Sequence, residues 1–312
     1  MRKRSLGKTE MQVSELALGT WGLSGDGYGP MVFAEVDRVI DKAIASGINL
    51  FDTADVYGRG AMEKKLAERL SKDDTYVVTK IGTDLDSKPP LKHFDPSYLR
   101  EALLHSRDRL AREPIDIVLL HNPTERTFVE TDTAAFMKEM VDEGFIRAWG
   151  ASVGSAAVGT AAIRAGAQVI ELAYNTFMAA DLHALSAEIT QNGVGVLARS
   201  VLAHGLLTGH WTAEREFEDG DHRAHRWTRD DLRLRISQLD ALRPAMRDDI
   251  ASLRSVALRF VLANQLVSSA VLGPRSVFQL EQLVRDAGAP PYLKDTTMVE
   301  LAGRLAAAGL DV

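Results

Sequence analysis

Two hydrophobic patterns take turns along this chain. Short apolar runs recur: ELALG (15–19), INLF (48–51), YVVTK (76–80), IDIVLLH (115–121), IRAWGAS (146–152), QVIELAY (168–174), VGVLA (194–198) and SSAVLG (268–273). They are continuous more than alternating, which is how strands buried on both faces of a parallel sheet read. Helical spacing fills the gaps. Val36, Val39, Ile40, Ala43 and Ile44 share one face of a helix that ends at Gly47, and Met62, Leu66 and Leu70 stripe another. Asp95-Pro96 opens a third helix as N-cap and N1 residue, and residues 131–143 and 182–191 are amphipathic. The unit "helix, glycine, strand" repeats at Gly47, Gly144, Gly166 and Gly193.

Eight such strands with intervening helices predict an α/β fold of the (β/α)8 TIM-barrel type, whose usual size is about 250 residues before insertions. Residues 4–13, around Gly7-Lys8-Thr9-Glu10, form an expected N-terminal β-hairpin outside the repeat, and the tail from Tyr292 an extra C-terminal helix. We expect one barrel domain over residues 1–312. A doubly wound sheet is the alternative, disfavoured by the strand count. The loop TWGLSGDGYGP has glycines at 25, 27 and 29, which misses the GxGxxG spacing, and no helix start immediately follows it. After Ala198 the rhythm breaks. Residues 200–209 read as a mixed loop, 214–235 as a charged surface segment closing over the site, and a helical stretch then runs to about Leu262.

Composition narrows the class. The chain is 46% hydrophobic and 26% charged, ordinary for a globular protein, and its net charge of −6 argues against nucleic-acid binding. No apolar run reaches membrane-spanning length, and MRKRSLGKTE lacks the apolar core of a signal peptide. With no cysteine, thiolate chemistry, disulfides and Cys-ligated zinc are excluded, and a reducing cytoplasm fits. The aromatic content of 6% marks no self-association surface, so the oligomeric state is not legible. In Asp221-His222-Arg223-Ala224-His225 two histidines sit three apart without a second cluster; we expect a solvated lid loop and no metal.

Chemistry gathers at strand ends. FDTADVYG (51–58) offers the carboxylate Asp52 and the phenol Tyr57 after the second strand, Lys80 closes the third, and His121 closes the fourth. In a barrel, these carboxyl ends share one mouth. A free phenol has a pKa of about 10, and a nearby ammonium is expected to lower it. A carboxylate fixes the lysine, and a neutral imidazole orients a carbonyl oxygen. Together they make a general-acid site for a carbonyl receiving hydride, or the reverse for an alcohol.

The spaced set RSLGKTEMQVSELALGTWG, INLFDTADVYG, VVTK, IDIVLLHNP, EGFIRAWGAS, ELAYN, LARSVLAHGLLTG and VLGPRSVFQLEQL resembles the aldo-keto reductase family over nearly the whole chain. The resemblance implies a barrel that binds NADPH/NADP+, with NADH possible, and a small-molecule carbonyl or alcohol substrate. It implies Tyr57 as proton donor, Lys80 and Asp52 tuning it, and His121 orienting the substrate, with Trp21 walling the pocket. On the cofactor it implies Gly19, Thr20, Trp21 and Asp52; Ser152 and Glu171 at the carboxamide; Arg199 against the nicotinamide ring; and Ser200, Leu202 and Gly205 at the pyrophosphate. Gly273, Arg275 and Gln279 would surround a 2′-phosphate, and Gln282 would lie near adenine. The chain departs from the family pattern at Val153 (usually Asn), Glu171 (usually Gln) and the pair Gln282-Leu283 (usually Glu-Asn). A lost polar contact of this kind costs on the order of 1 kcal/mol, which implies altered cofactor affinity. Two alternatives stand beside carbonyl reduction. One is an aldose or alcohol dehydrogenase working oxidatively with NAD(P); the other is a cofactor-sensing regulatory barrel with little turnover.

Overall fold

The apolar runs pair side by side and close on themselves. The computed structural model describes residues 1–311. Its strands are β1 (Lys3–Ser5), β2 (Gln12–Ser14), β3 (Leu16–Gly19), β4 (Leu50–Asp52), β5 (Tyr76–Ile81), β6 (Thr83–Asp84), β7 (Leu91–Lys92), β8 (Ile115–His121), β9 (Ile146–Ser152), β10 (Val169–Ala173), β11 (Gly195–Arg199) and β12 (Ser269–Leu272). Eight of them form a closed barrel in the order β3-β4-β5-β8-β9-β10-β11-β12, every pair parallel, with β12 closing onto β3 where Val271 faces Ala17. Helices follow the strands and cover the barrel, as the pattern predicts.

Inside the barrel, the side-chain period of two sorts the residues. Ala17, Leu50, Val78, Ile117, Leu119, Ala148, Val169, Leu197 and Val271 form one inner cluster. The predicted hairpin β1-β2 plugs its lower end with Leu6, Met11 and Val13, all fully buried. Arg4 pins that plug by donating to the carbonyls of Leu262 (2.6 Å) and Val267 (2.8 Å). Counting two residues up from the inner apolar layer reaches Gly19, Asp52, Lys80, His121, Glu171, Arg199 and Gly273; Ser152 lies two beyond Gly150. The same alternation that fills the barrel with hydrocarbon thus aims its polar strand ends at the mouth.

The outer core packs the other strand faces against the helices. Val36, Val39, Ile40 and Ala43 of helix Phe33–Ala45 are buried as predicted, but Ile44 is 37% exposed because it sits at the edge of the stripe. The predicted stretch to Leu262 is broken: helix Arg229–Gln238 gives way to single turns at Leu239–Ala241 and Arg243–Ala245 before helix Leu253–Ala263. Pro244 opens the second turn, where it cannot donate to a continuing helix. Within the glycine-rich loop, Trp21–Ser24 form one helical turn, and β6-β7 adds a small hairpin over the mouth. The tail forms helix Asp295–Ala307, and no described helix is long and apolar enough to cross a membrane.

At Gly150 the neighbouring backbone leaves no room for a side chain: a Cβ there would lie 1.8 Å from the Val169 carbonyl oxygen. Gly150→Ala must therefore push β9 off β10. We expect a loss of about 1–3 kcal/mol in urea unfolding; an unchanged midpoint would show that the strands can separate freely.

Candidate active site

Lys80 stands at the centre of the mouth. It is 1% exposed, and its ammonium donates to Asp52 Oδ2 at 2.5 Å and to the Thr53 carbonyl at 3.0 Å. Glu171 Oε2 lies 3.4 Å from the same nitrogen, reaching it from the far wall. Burial works against the Lys80 ammonium, but Asp52, Glu171 and Tyr57 outweigh it and raise its pKa. Burial, and next Glu171, raise Asp52; Lys80 opposes them. The two partners thus do not both move toward ionisation. The fixed point is the ammonium, because it faces two carboxylates while each carboxylate faces only one ammonium.

Tyr57 follows on the turn after β4, with its ring centre 5.4 Å from Lys80 Nζ. The neighbouring ammonium, taken alone, is expected to lower its pKa. Burial instead raises it, Asp52 and Glu171 add to the rise, and Lys80 offsets only part. Tyr57 therefore holds its proton at neutral pH. The His121 ring meets Tyr57 edge-on, with centroids 6.1 Å apart. Burial, then Lys80, Lys92 and Arg199, keep its pKa well below the ordinary value, so the imidazole is neutral. His121 Nδ1, Glu171 Oε2 and Thr53 Oγ1 are buried without hydrogen-bond partners.

The remaining predicted residues fall into two groups. Ser152 is register partner to both His121 and Glu171, so the three lie in one row across β8, β9 and β10. Arg199, on the next strand, donates to the Val153 carbonyl at 3.0 Å. Thr20, just past Gly19, donates to the Asp52 carbonyl through both its backbone N–H and its hydroxyl. Ser200, Ala203, His204 and Gly205 all have positive φ, and Asn175 braces the loop through the Ser200 carbonyl at 2.9 Å. The Leu202 carbonyl accepts from the Gly205 and Leu207 N–H groups.

The second group lies further out. Arg275 donates to the carbonyls of Tyr28 (2.5 Å), Gly29 (2.8 Å) and Pro30 (3.1 Å), and its own N–H is held by Gln279 Oε1. A 2′-phosphate on this guanidinium would compete with three carbonyls. Gln282 accepts from Arg254, Gly273 has open space beside its Cα, and Leu283 is buried in the outer core. Trp21 packs against Tyr28 and His222, with ring centroids at 5.2 and 4.7 Å.

Several residues went unnoticed in the sequence. Tyr28 bonds His204 Nδ1 (3.2 Å) and bridges to Asp221, while the His222 N–H donates to the Gly27 carbonyl, so the glycine loop is clasped onto segment 221–222. That segment is not solvated as expected: Asp221 is buried and paired with Arg223. Among the described residues no cluster of metal-ligating side chains occurs. Lys92 of β7 donates to the His121 carbonyl at 2.7 Å. Its only sequence signal is a lysine in the variable loop after β5. Asp55 is the plainest omission, since it lies within FDTADVYG; burial, then Glu63, push its carboxyl up to about 7.

A barrel whose mouth carries a buried ammonium, two carboxylates, a protonated phenol and a neutral imidazole is a proton-handling enzyme fold. The comparisons place it further. The family model "Aldo/keto reductase family" matches residues 15–295. Aldo-keto reductase YhdN of Bacillus subtilis (strain 168) is 30% identical over 298 residues, 92% of this chain and 89% of that protein. The NADH-specific methylglyoxal reductase of Escherichia coli (strain K12) is 29% identical over 91% of this chain and 93% of its own. Among solved structures, the glycerol dehydrogenase AKR11B4 from Gluconobacter oxydans superimposes with TM-score 0.85 and 25% identity, covering 99% of this chain and 97% of that one. The chain belongs to the aldo-keto reductase family, oxidoreductases of the carbonyl–alcohol couple.

Asp55 gives a pH test with a definite sign. Folding raises its pKa, so its contribution to stability is full below the unfolded value of about 4 and is lost as pH rises through about 7. Asp55→Asn removes that loss. The variant should gain about 1–3 kcal/mol on the parent at pH 8 and nothing at pH 4, read by urea unfolding at both. An equal difference at the two pH values would mean the carboxyl ionises as freely as in water.

Proposed function

We propose that this protein reduces an aldehyde or ketone to an alcohol, with Tyr57 as general acid and NADP(H) as cofactor. The observation that carries the reading is the convergence of Tyr57 and His121 on a mouth whose floor is the Asp52–Lys80 pair. The neutral His121 ring is free to donate a hydrogen bond to a carbonyl oxygen and so orient it. Tyr57 keeps its proton until negative charge develops on that oxygen, then gives it up. Lys80, held charged by Asp52, stabilises the phenolate left behind. Tight packing around the lysine excludes water, which strengthens each of these interactions.

The residues present fit a nicotinamide dinucleotide. Glu171 Oε2, which accepts no hydrogen bond within the protein, can accept from a carboxamide NH2, and Ser152 shares its row. Arg199, Ser200, Leu202 and Gly205 would follow the dinucleotide outward, toward Gly273, Arg275, Gln279 and Gln282. When bound, the nicotinamide supplies or accepts the hydride.

One observation favours a second reading of the cofactor. Arg275 already serves three carbonyls, which supports use of NADH, the cofactor in the name of the Escherichia coli relative. Comparing kcat/KM with NADPH and NADH on a panel of small aldehydes decides between them. If Arg275 binds the 2′-phosphate, Arg275→Ala lowers kcat/KM for NADPH about ten- to a hundredfold and spares NADH. Loss with neither cofactor assigns Arg275 to the loop alone.

For the general acid, Tyr57→Phe should lower kcat about a hundred- to ten-thousandfold with little change in cofactor Kd. Full turnover by the variant on an accepted aldehyde would remove Tyr57 from the proton path.

A further inference from the structure

The two carboxylates around Lys80 are held unequally. The ammonium donates to Asp52 at 2.5 Å and to the Thr53 carbonyl at 3.0 Å. Glu171 makes the longer ion pair, 3.4 Å, without hydrogen-bond geometry; it is 2% exposed, and its Oε2 accepts no hydrogen bond. In the barrel β10 lies three places from β5, so Glu171 reaches the lysine across the interior. Arg199, the other cation of the mouth, is turned to the Val153 carbonyl. A buried carboxylate whose ion pair is this long and whose Oε2 accepts no hydrogen bond is expensive to keep. A glutamine would fill the same space without the charge.

Its place in the row suggests what the charge faces. Glu171 and His121 flank Ser152 in register, on the inner face. A hydride donor serving a carbonyl held by Tyr57 and His121 must lie against that row. The oxidised nicotinamide ring carries a positive charge and the reduced ring none. Fixed charges at this wall therefore act on one redox state and not on the other. Lys80 and Arg199 repel the cation, Asp52 is occupied by Lys80, and Glu171 is the remaining attraction.

We propose that Glu171 is a specificity-determining residue for the redox state of the cofactor, its carboxylate favouring the oxidised nicotinamide over the reduced one. This rests on the nicotinamide reading given above and deepens it. A hydrogen bond from the carboxamide NH2 to Glu171 is the same in both redox states, so it cancels in the ratio of the two affinities and leaves the charge effect. In reduction the oxidised cofactor then leaves slowly.

The test is equilibrium binding without turnover. NAD+, NADH, NADP+ and NADPH are titrated by calorimetry into the parent and into Glu171→Gln. The parent should bind the oxidised member of its preferred pair more tightly. In the variant, the ratio of the two affinities should shift about tenfold toward the reduced member. A variant that binds both members with the parent's ratio overturns the inference and leaves the nicotinamide reading standing. Failure of the parent to bind any of the four overturns that reading and the inference with it. Should Glu171→Gln not fold, Glu171→Met, which keeps the volume and drops the charge, is read by the same ratio, and an unchanged ratio overturns the inference.

Discussion

A lysine ammonium buried inside a closed sheet is the constraint around which the rest is arranged. Removing such a charge from water costs several kcal/mol, and the fold must return most of it locally. Asp52, the Thr53 carbonyl and Glu171 do so from opposite walls of the barrel. This is possible only because the barrel closes. An open sheet would leave β4 and β10 too far apart for one side chain to meet both. The arrangement also accounts for the behaviour of Tyr57 and His121. In a mouth this dry, burial dominates both pKa values, so the phenol stays protonated and the imidazole neutral. Those are the states that the proposed carbonyl reduction needs at the start.

The lower end of the barrel serves the upper end. Hairpin β1-β2 fills the floor with Leu6, Met11 and Val13, which completes the inner apolar layer on which the polar row rests. Above, the glycine loop is held down by Tyr28, His222 and Arg275. Each of these contacts is polar and lies at the surface or half-buried, so the loop is fastened more weakly than the strands beneath it. Arg275 belongs to this fastening as well as to the segment expected to meet a dinucleotide. On the proposed reading, that overlap ties the fastening of the loop to the outer half of the dinucleotide site.

Much of the fold was legible because it depends on local pattern. The eight runs became the eight barrel strands with ends shifted by at most two residues, and Asp52, Tyr57, Lys80 and His121 were placed at one mouth by strand order alone. The failures are of two kinds. Ile44 sits at the edge of its own stripe and Pro244 interrupts the stretch before Leu253, both local effects that the apolar pattern outweighs. The clasp of Tyr28 on Asp221 joins residues almost two hundred positions apart, and nothing in either segment announces the other. The expected fall in the Tyr57 pKa came from counting one cation and no burial; the folded site adds two carboxylates and removes the water.

The sequence by itself determined the barrel, the inward row of polar strand ends and the family, because side-chain period and strand spacing are properties of neighbouring residues. Tertiary structure decided the charge state of the mouth and what Glu171 and Arg275 face. Those depend on distances across the closed barrel and between loops, where Coulomb energy and desolvation act through space rather than along the chain.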